Sequence, residues 1–387
     1  MVRRQGNLYD VCVARHLYIP AGLIKMAQEK LNLSTPQSGE EYQHHILQDV
    51  SRTFALTIPQ LPKDLCKVVG NAYLLCRIAD TIEDEPALTA SQKREFSLQF
   101  IKVVDGEESA EQFAELHGLL SESTLAAERD LVKNAPAVLR VTHGFNKNQR
   151  RILSRSVAIM AKGMSAFQAN KSQTGLKDLP ELDSYCYHVA GVVGEMLTEL
   201  FCDYSPEIEK NKQPMLKLAV SFGQGLQMTN ILKDVWEDKI RGACWLPQDV
   251  FEESLFDLND LSKHSYQESF GNGLGKLVGI TRAHLSNALS YTLLIPKREK
   301  GIRRFCLWAL GMAVLTLRKI HKNPEFTSGQ EVKISRRSVK ATVGLTSLFA
   351  GNDLMLKWLF NLATLGLPRP LSHPAPPSPR IHPYSMP

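Results

Sequence analysis

Two aspartate pairs constrain this chain more than any other feature. Asp80 and Asp84 stand four residues apart in R-I-A-D-T-I-E-D, and Asp234 and Asp238 do so in N-I-L-K-D-V-W-E-D. Residues at that spacing share one face of a helix, so each segment, folded as a helix, points two carboxylates the same way. Like charges so placed destabilise an isolated helix by about a few tenths of a kcal/mol, and Glu83 and Glu237 add to the crowding. A single D-x-x-x-D is ordinarily the solvated face of an amphipathic helix. Here there are two, well separated in the chain and both preceded by apolar sequence (Ala-Tyr-Leu-Leu-Cys and Gly-Leu-Gln-Met), as the walls of a cavity would be. A divalent cation would relieve the repulsion. Mg2+ suits it, because it takes oxygen ligands and is typically held by one or two carboxylates together with substrate phosphates. With Arg77, Lys233, Lys239 and Arg241 nearby in sequence, the pattern describes a site for a magnesium-bound diphosphate.

The rest of the chain reads as helix. Apolar positions from Leu65 to Ile82 recur at helical spacing up to Pro86, and the same period marks Ser91–Val104, Ala110–Leu120, Leu125–Leu139, Asn148–Gln168, Leu182–Tyr204, Leu274–Leu294 and Ile302–His321. Runs of alternating β-branched residues with hairpin turns are lacking. The expected fold class is all-α, one bundle around one core. Gly191, Gly194, Gly223 and Gly225 fall inside helical stretches. Each costs roughly 1 kcal/mol there, which suits either a tight helix crossing or the approach of a ligand. G-Q-G at 223–225 follows no strand and lacks a third glycine, so it is no dinucleotide fingerprint.

The 387 residues, 43% apolar and 22% charged, have the composition of a globular protein, and a net charge of +6 spread along the chain does not single out nucleic acid as a partner. Seven cysteines without a C-x-x-C read as buried thiols in a reducing compartment. M-V-R-R at the start is followed by no apolar h-region, so a cytoplasmic location is expected. Ala341–Pro368 is apolar, but its longest uncharged run is 12 residues, short of the roughly 18 that a spanning helix needs. It could cover the core, lie on a membrane surface or line a greasy entrance, and core packing is the expectation. Eight of the 20 prolines fall in the last 20 residues, which reads as a disordered tail. The divisions expected, the second of them on the resemblance given next, are an extension over 1–40, a catalytic domain over 41–338, an apolar helical segment over 339–367 and a Pro-rich tail over 368–387.

With these segments in place, the chain resembles the squalene/phytoene synthase family of head-to-head prenyl synthases from about Tyr42 to Ser338. The motifs that carry the resemblance are S-R-T-F-A-L (51–56), Y-L-L-C-R-I-A-D-T-I-E-D-E (73–85), Y-C-Y-H-V-A-G-V-V-G (185–194), Q-M-T-N-I-L-K-D-V-W-E-D (227–238) and V-K-I-S-R-R (332–337). The resemblance implies an isoprenoid-synthase-type bundle with a central cavity and the aspartate motifs facing each other across its mouth. It implies that Asp80, Glu83, Asp84, Asp234 and Asp238 hold Mg2+. Ser51, Arg52, Phe54, Arg77, Gln227, Asn230 and Lys233 would bind the prenyl diphosphate, with Arg52, Arg77 and Lys233 on its phosphates. Lys233 replaces an arginine common in the family, which keeps the charge and loses the bidentate fork. Tyr73 and Tyr185 match tyrosines beside the reacting carbons, the latter proposed to assist proton removal or stabilise cations.

The activity so implied is condensation of two farnesyl diphosphates through presqualene diphosphate, followed in one branch of the family by reduction with NADPH. C-W-L-P at 244–247, Phe305-Cys306 and M-A-V-L-T-L at 312–317 look like the reducing, squalene-forming branch, in which Lys333 and Arg336, with Ser335, would meet the NADPH phosphates. The alternatives are phytoene, dehydrosqualene or presqualene diphosphate as product. A non-catalytic relative would be expected to have lost an aspartate, and a class I terpene cyclase would carry an asymmetric second motif. Neither departure occurs in the sequence. The expected enzyme is a monomer with a peripheral contact to the inner membrane surface for product release.

Overall fold

The computed structural model describes residues 38–51, 53–262 and 266–369. The extension before residue 38, Arg52 and the Pro-rich stretch from 370 lie outside the described residues. Helices dominate, and the only strand-like pairing among the described residues is an isolated bridge between Leu176 and Pro247.

Local sequence sets where the helices start and stop. A capping box opens α1 (Gly39–Val50): Ser38 Oγ accepts from the Glu41 N–H and Glu41 returns a carboxylate to the Ser38 N–H, both at 3.2 Å. Thr89 and Gln92 repeat the device before α3 (Ala90–Asp105), which ends at Gly106 with φ 82°. Between them α2 (Lys63–Asp84) buries Leu65, Val68, Val69, Ala72, Leu75, Ile78, Ala79 and Ile82, the face that its apolar period defines. The expected helix over Leu125–Leu139 is two, α4 (Ala126–Lys133) and α5 (Ala135–His143), divided at Asn134. Pro136 is the reason, because proline has no N–H to give and fits only the first turn of a new helix. A long α6 (Lys147–Ala169) follows.

The core is organised on α9 (Lys212–Lys233), whose residues 219–225 are buried in unbroken succession. A helix buried all round is central, and α9 packs against α8 (Val192–Tyr204), α11 (Glu268–Leu294) and α12 (Lys300–Lys322). The glycines in question serve these crossings. A Cβ on Gly194 would stand 2.2 Å from the Ala219 carbonyl oxygen, and one on Gly223 would stand 2.2 Å from that of Ala190. Close approach of backbone to backbone, rather than a ligand, explains these two. Gly223→Ala is expected to cost about 1–3 kcal/mol as the helices are forced apart, read as a lowered denaturation midpoint. An unchanged midpoint would show that the crossing has slack.

Two helical stretches depart from the sequence expectation near function. Leu182–Tyr204 is not one helix: α7 (Leu179–Cys186) passes through a π-helical turn, Tyr187–Gly191, into α8. The wider turn brings Gly191 and Gly194 onto α9. The second aspartate motif also bends. α9 gives way at Asp234 (φ −101°, ψ 15°) to α10 (Val235–Ile240), yet Asp234 N–H donates to Asn230 and Asp238 N–H to Asp234, so the spacing of four survives the kink.

The apolar C-terminal stretch packs on the core at a few points only, through Ala350, Leu356 and Leu367, with Phe349, Phe360 and Ala363 partly buried against it. It forms α13 (Arg336–Phe349), with no buried residue, and α14 (Asp353–Ala363), where only Leu356 is buried. Amphipathic period fixes helices but not what covers them, and here Leu345, Leu348, Leu354, Trp358 and Leu362 stay exposed on the other side.

Candidate active site

On α2, the helical period aligns Tyr73, Arg77, Asp80 and Asp84 along one face. Arg77 Nη2 donates to the Tyr73 hydroxyl at 3.1 Å, and Arg77 Nη1 lies 3.9 Å from Asp80 Oδ2. Glu128 on α4 approaches the same guanidinium at 3.4 Å. Burial opposes the charge of Arg77, but Asp80, Tyr73 and Glu128 outweigh it and hold the guanidinium firmly protonated. On α9 and α10 the matching face carries Gln227, Asn230, Asp234 and Asp238. Lys233 Nζ pairs with Asp234 Oδ2 at 3.0 Å.

The carboxylates are crowded. Burial, then Asp84 and Glu128, raises Asp80 to about 6 against the pull of Arg77. Glu83 rises to about 8 through burial and Asp84, although Gln168 Nε2 donates to it at 3.0 Å. Asp238 rises to about 7 through burial, Asp234, Asp84 and Glu237, with Arg241 opposing. Burial also raises Asp234. The effect of Asp84 on Asp238 puts the two motifs within electrostatic reach of each other. Among the described residues no three acidic, histidine or cysteine side chains close on a common point to ligate one ion. The donor set nonetheless fits Mg2+: every group is a hard oxygen donor, and the excess of buried negative charge needs compensation.

Aromatic rings stand beside the motifs. Phe54 packs on Tyr73 at 5.2 Å between centroids and reaches Phe305 at 6.4 Å. Tyr185 stacks on Trp245 at 4.1 Å and meets Phe167 edge-on at 5.3 Å. Trp245 is placed by backbone pairing of 172–176 with 244–248, where Gly175 (φ +99°) lets Leu246 come close. Burial first, then Glu83, keeps the Tyr185 phenol protonated far above its usual range. A phenol so held is poor as a base and suited to face a cation with its ring.

The remaining expected residues are placed less directly. Ser51 Oγ accepts from the Phe54 N–H at 2.9 Å, where the short helix that carries Phe54 begins, and Arg52 lies outside the described residues. Lys333 and Arg336 are exposed, on the loop after α12 and at the first turn of α13. That loop seats on the second motif: Trp236 Nε1 donates to Phe326 O at 2.6 Å and the Gly329 N–H to Glu237 Oε1 at 3.0 Å. Sequence reasoning missed Glu128, Gln168 and Gly329. They carry no motif, and only the tertiary fold brings them to the aspartates.

The squalene/phytoene synthase family model matches residues 47–338. The chain is 28% identical over 298 residues to the squalene synthase of Cyberlindnera jadinii, covering 76% of this chain and 64% of that one. To the squalene synthase of Mus musculus it is 27% identical over 350 residues, covering 89% and 77%. It therefore spans just under two thirds of the Cyberlindnera jadinii relative's length. Among solved structures, TcSQS with the ligand BPH1237 superposes with a TM-score of 0.68 at 23% identity (84% of this chain, 91% of that one). A dehydrosqualene synthase in complex with ligand gives 0.61 at 19% identity (83% and 98%). These likenesses are of fold.

Proposed function

Because the chain belongs to the squalene/phytoene synthase family, we propose that it is a squalene synthase, joining two farnesyl diphosphates head to head and reducing the product with NADPH. The observation that supports this reading is the pair of aspartate faces on α2 and α9–α10, buried, crowded with like charge and within electrostatic reach of each other. One chain supplies both faces, as a monomeric enzyme requires.

In this reading Asp80, Glu83, Asp84, Asp234 and Asp238 hold Mg2+, which when bound neutralises charge developing on the departing diphosphate. Arg77 and Lys233, with Arg52, Ser51, Gln227 and Asn230, orient the diphosphates. Arg77 is fixed from three sides, by Tyr73, Asp80 and Glu128, so it is pre-organised for charge that appears only as the C–O bond breaks. That bond leaves its electron pair on the diphosphate and an allylic cation on carbon. Phe54, Tyr73 and Tyr185 offer ring faces to the cation and exclude water from it. The double bond of the second substrate attacks, and loss of a proton closes the cyclopropane. A second ionisation and rearrangement follow, and NADPH, when bound, would supply the hydride that quenches the final cation. Lys333 and Arg336 are the residues we assign to the NADPH phosphates; the loop that carries Lys333 leans on Glu237 through Gly329.

The test is product identification after incubation with farnesyl diphosphate and Mg2+, with and without NADPH. Squalene is expected only with NADPH. Dehydrosqualene in both incubations, or presqualene diphosphate alone, overturns the reduction and keeps the site. Phytoene from geranylgeranyl diphosphate, with nothing from the shorter substrate, moves the activity to the longer chain.

A further inference from the structure

The two C-terminal helices present an apolar face that no described part of the chain covers. On α13 the inner side meets α12, with Ser347 Oγ accepting from Trp308 Nε1 at 3.2 Å, while Leu345 and Leu348 point out at 46% and 74% exposure. On α14 the outward residues fall at helical spacing: Leu354 (78%), Trp358 (56%) and Leu362 (50%), continued by Leu365 (73%) just beyond its end. These six exposed apolar residues lie along a helical hairpin whose frame is held. Arg303 bonds Asp353 at the start of α14, and Arg318 donates to Ala363 O at 3.0 Å at its end.

Charge names the occupant. Residues 336–369 carry Arg336, Arg337, Lys340, Lys357 and Arg369 against a single acid, Asp353, and that carboxylate is already taken by Arg303 and Lys297. Leucines and a tryptophan on one face, with lysine and arginine beside them, are the signature of a helix lying in a lipid interface. Neither helix can cross a bilayer. A second copy fits the face poorly, because two-fold pairing sets the same basic residues against themselves. We propose that α13 and α14 dock on an anionic lipid bilayer, with Leu348, Leu354, Trp358 and Leu362 in the acyl boundary and the basic side chains among the headgroups. The inference rests on exposure and charge and stands apart from the catalytic reading.

The tryptophans supply a direct assay. Trp236, Trp245 and Trp308 are buried at 7%, 8% and 8% exposure, so Trp358 alone faces outward. The full chain is mixed with phosphatidylcholine vesicles, with and without phosphatidylglycerol, some carrying brominated acyl chains. Co-sedimentation and a blue shift are expected with the anionic vesicles, together with bromine quenching. Trp358→Phe should keep the binding and lose the quenching. Leu348→Ser combined with Leu354→Ser and Leu362→Ser should weaken binding about ten-fold or more without changing the melting temperature. Quenching that survives Trp358→Phe overturns the proposal, as does a triple variant that binds like wild type. So does a chain that self-associates through this face and ignores lipid. None of these readings depends on turnover, so an inactive enzyme would leave the result intact.

Discussion

Asp238→Asn is expected to lower kcat/KM by about 10²–10³-fold while making the metal-free protein more stable at pH 8. The activity loss follows from removing one preorganised group that acts on charge developing in the transition state, worth roughly 3–4 kcal/mol in comparable sites. The stability gain follows from the sign of its titration. Asp238 has a folded pKa of about 7, above the ordinary value of about 3.9, so between those values the folded protein keeps a proton that the unfolded chain has released. Its stabilisation is full below about pH 4 and is lost as pH rises through 7. Asparagine has no charge to bury and escapes that loss, so the variant should gain on wild type at pH 8 and not at pH 4. Asp80 and Glu83, at about 6 and about 8, share the direction. Mg2+ with inorganic diphosphate should therefore raise the wild-type melting temperature by a few degrees, and more at pH 8 than at pH 6, because the ligands must be deprotonated to bind. Two results would sink the idea: an Asp238→Asn enzyme of undiminished turnover, or a wild-type melting curve indifferent to Mg2+ and diphosphate at both pH values.

The helical bundle and the placing of each carboxylate pair on one helix face were legible in the sequence for a local reason. A period of 3.6 in the apolar residues and a spacing of four between carboxylates both survive in one dimension, even across the kink at Asp234. Contacts between distant segments leave no such trace. Glu128 reaches Arg77 from 51 residues away and Gln168 reaches Glu83 from 85, and neither sits in a pattern that marks it. The glycines of α8 and α9 were readable as close approach, but not as to what approached. Only the positions of the Ala190 and Ala219 carbonyls decide for helix against helix. The C-terminal stretch shows the same limit from the other side. Its composition suits a core, and its period is that of an amphipathic helix, yet which face meets the protein depends on a turn at Ala350–Asn352 and on one buried arginine.

That arginine, Arg303, carries the second large effect. It is 1% exposed and spends its guanidinium on four acceptors: Leu293 O at 3.2 Å, Ile295 O and Asp353 Oδ1 at 2.8 Å and Ala350 O at 2.9 Å. Leu293 lies in the last turn of α11, whose carbonyls have no partner within the helix, and Ile295 follows directly. Ala350 and Asp353 sit where α13 turns into α14. One side chain thus joins the end of α11 to the corner of the hairpin. Arg303→Met keeps much of the volume but strands three carbonyls and leaves Asp353 to Lys297, 3.3 Å away. Breaking one side of a buried ion pair costs about 3–5 kcal/mol, and the expected result is a loss of that size in denaturant unfolding. Arg303→Lys should fall in between, since an ammonium retains the charge without the fork. The loss should be local first, with hydrogen exchange accelerating in residues 336–369 while α2 and α9 stay protected. At temperatures where the variant remains folded, the aspartate faces and the first ionisation should persist while vesicle binding through α13 and α14 fails. If Arg303→Met costs under about 1 kcal/mol, or if exchange quickens evenly through the bundle, the hairpin is not held at this corner and the separation of its role from the site's is wrong.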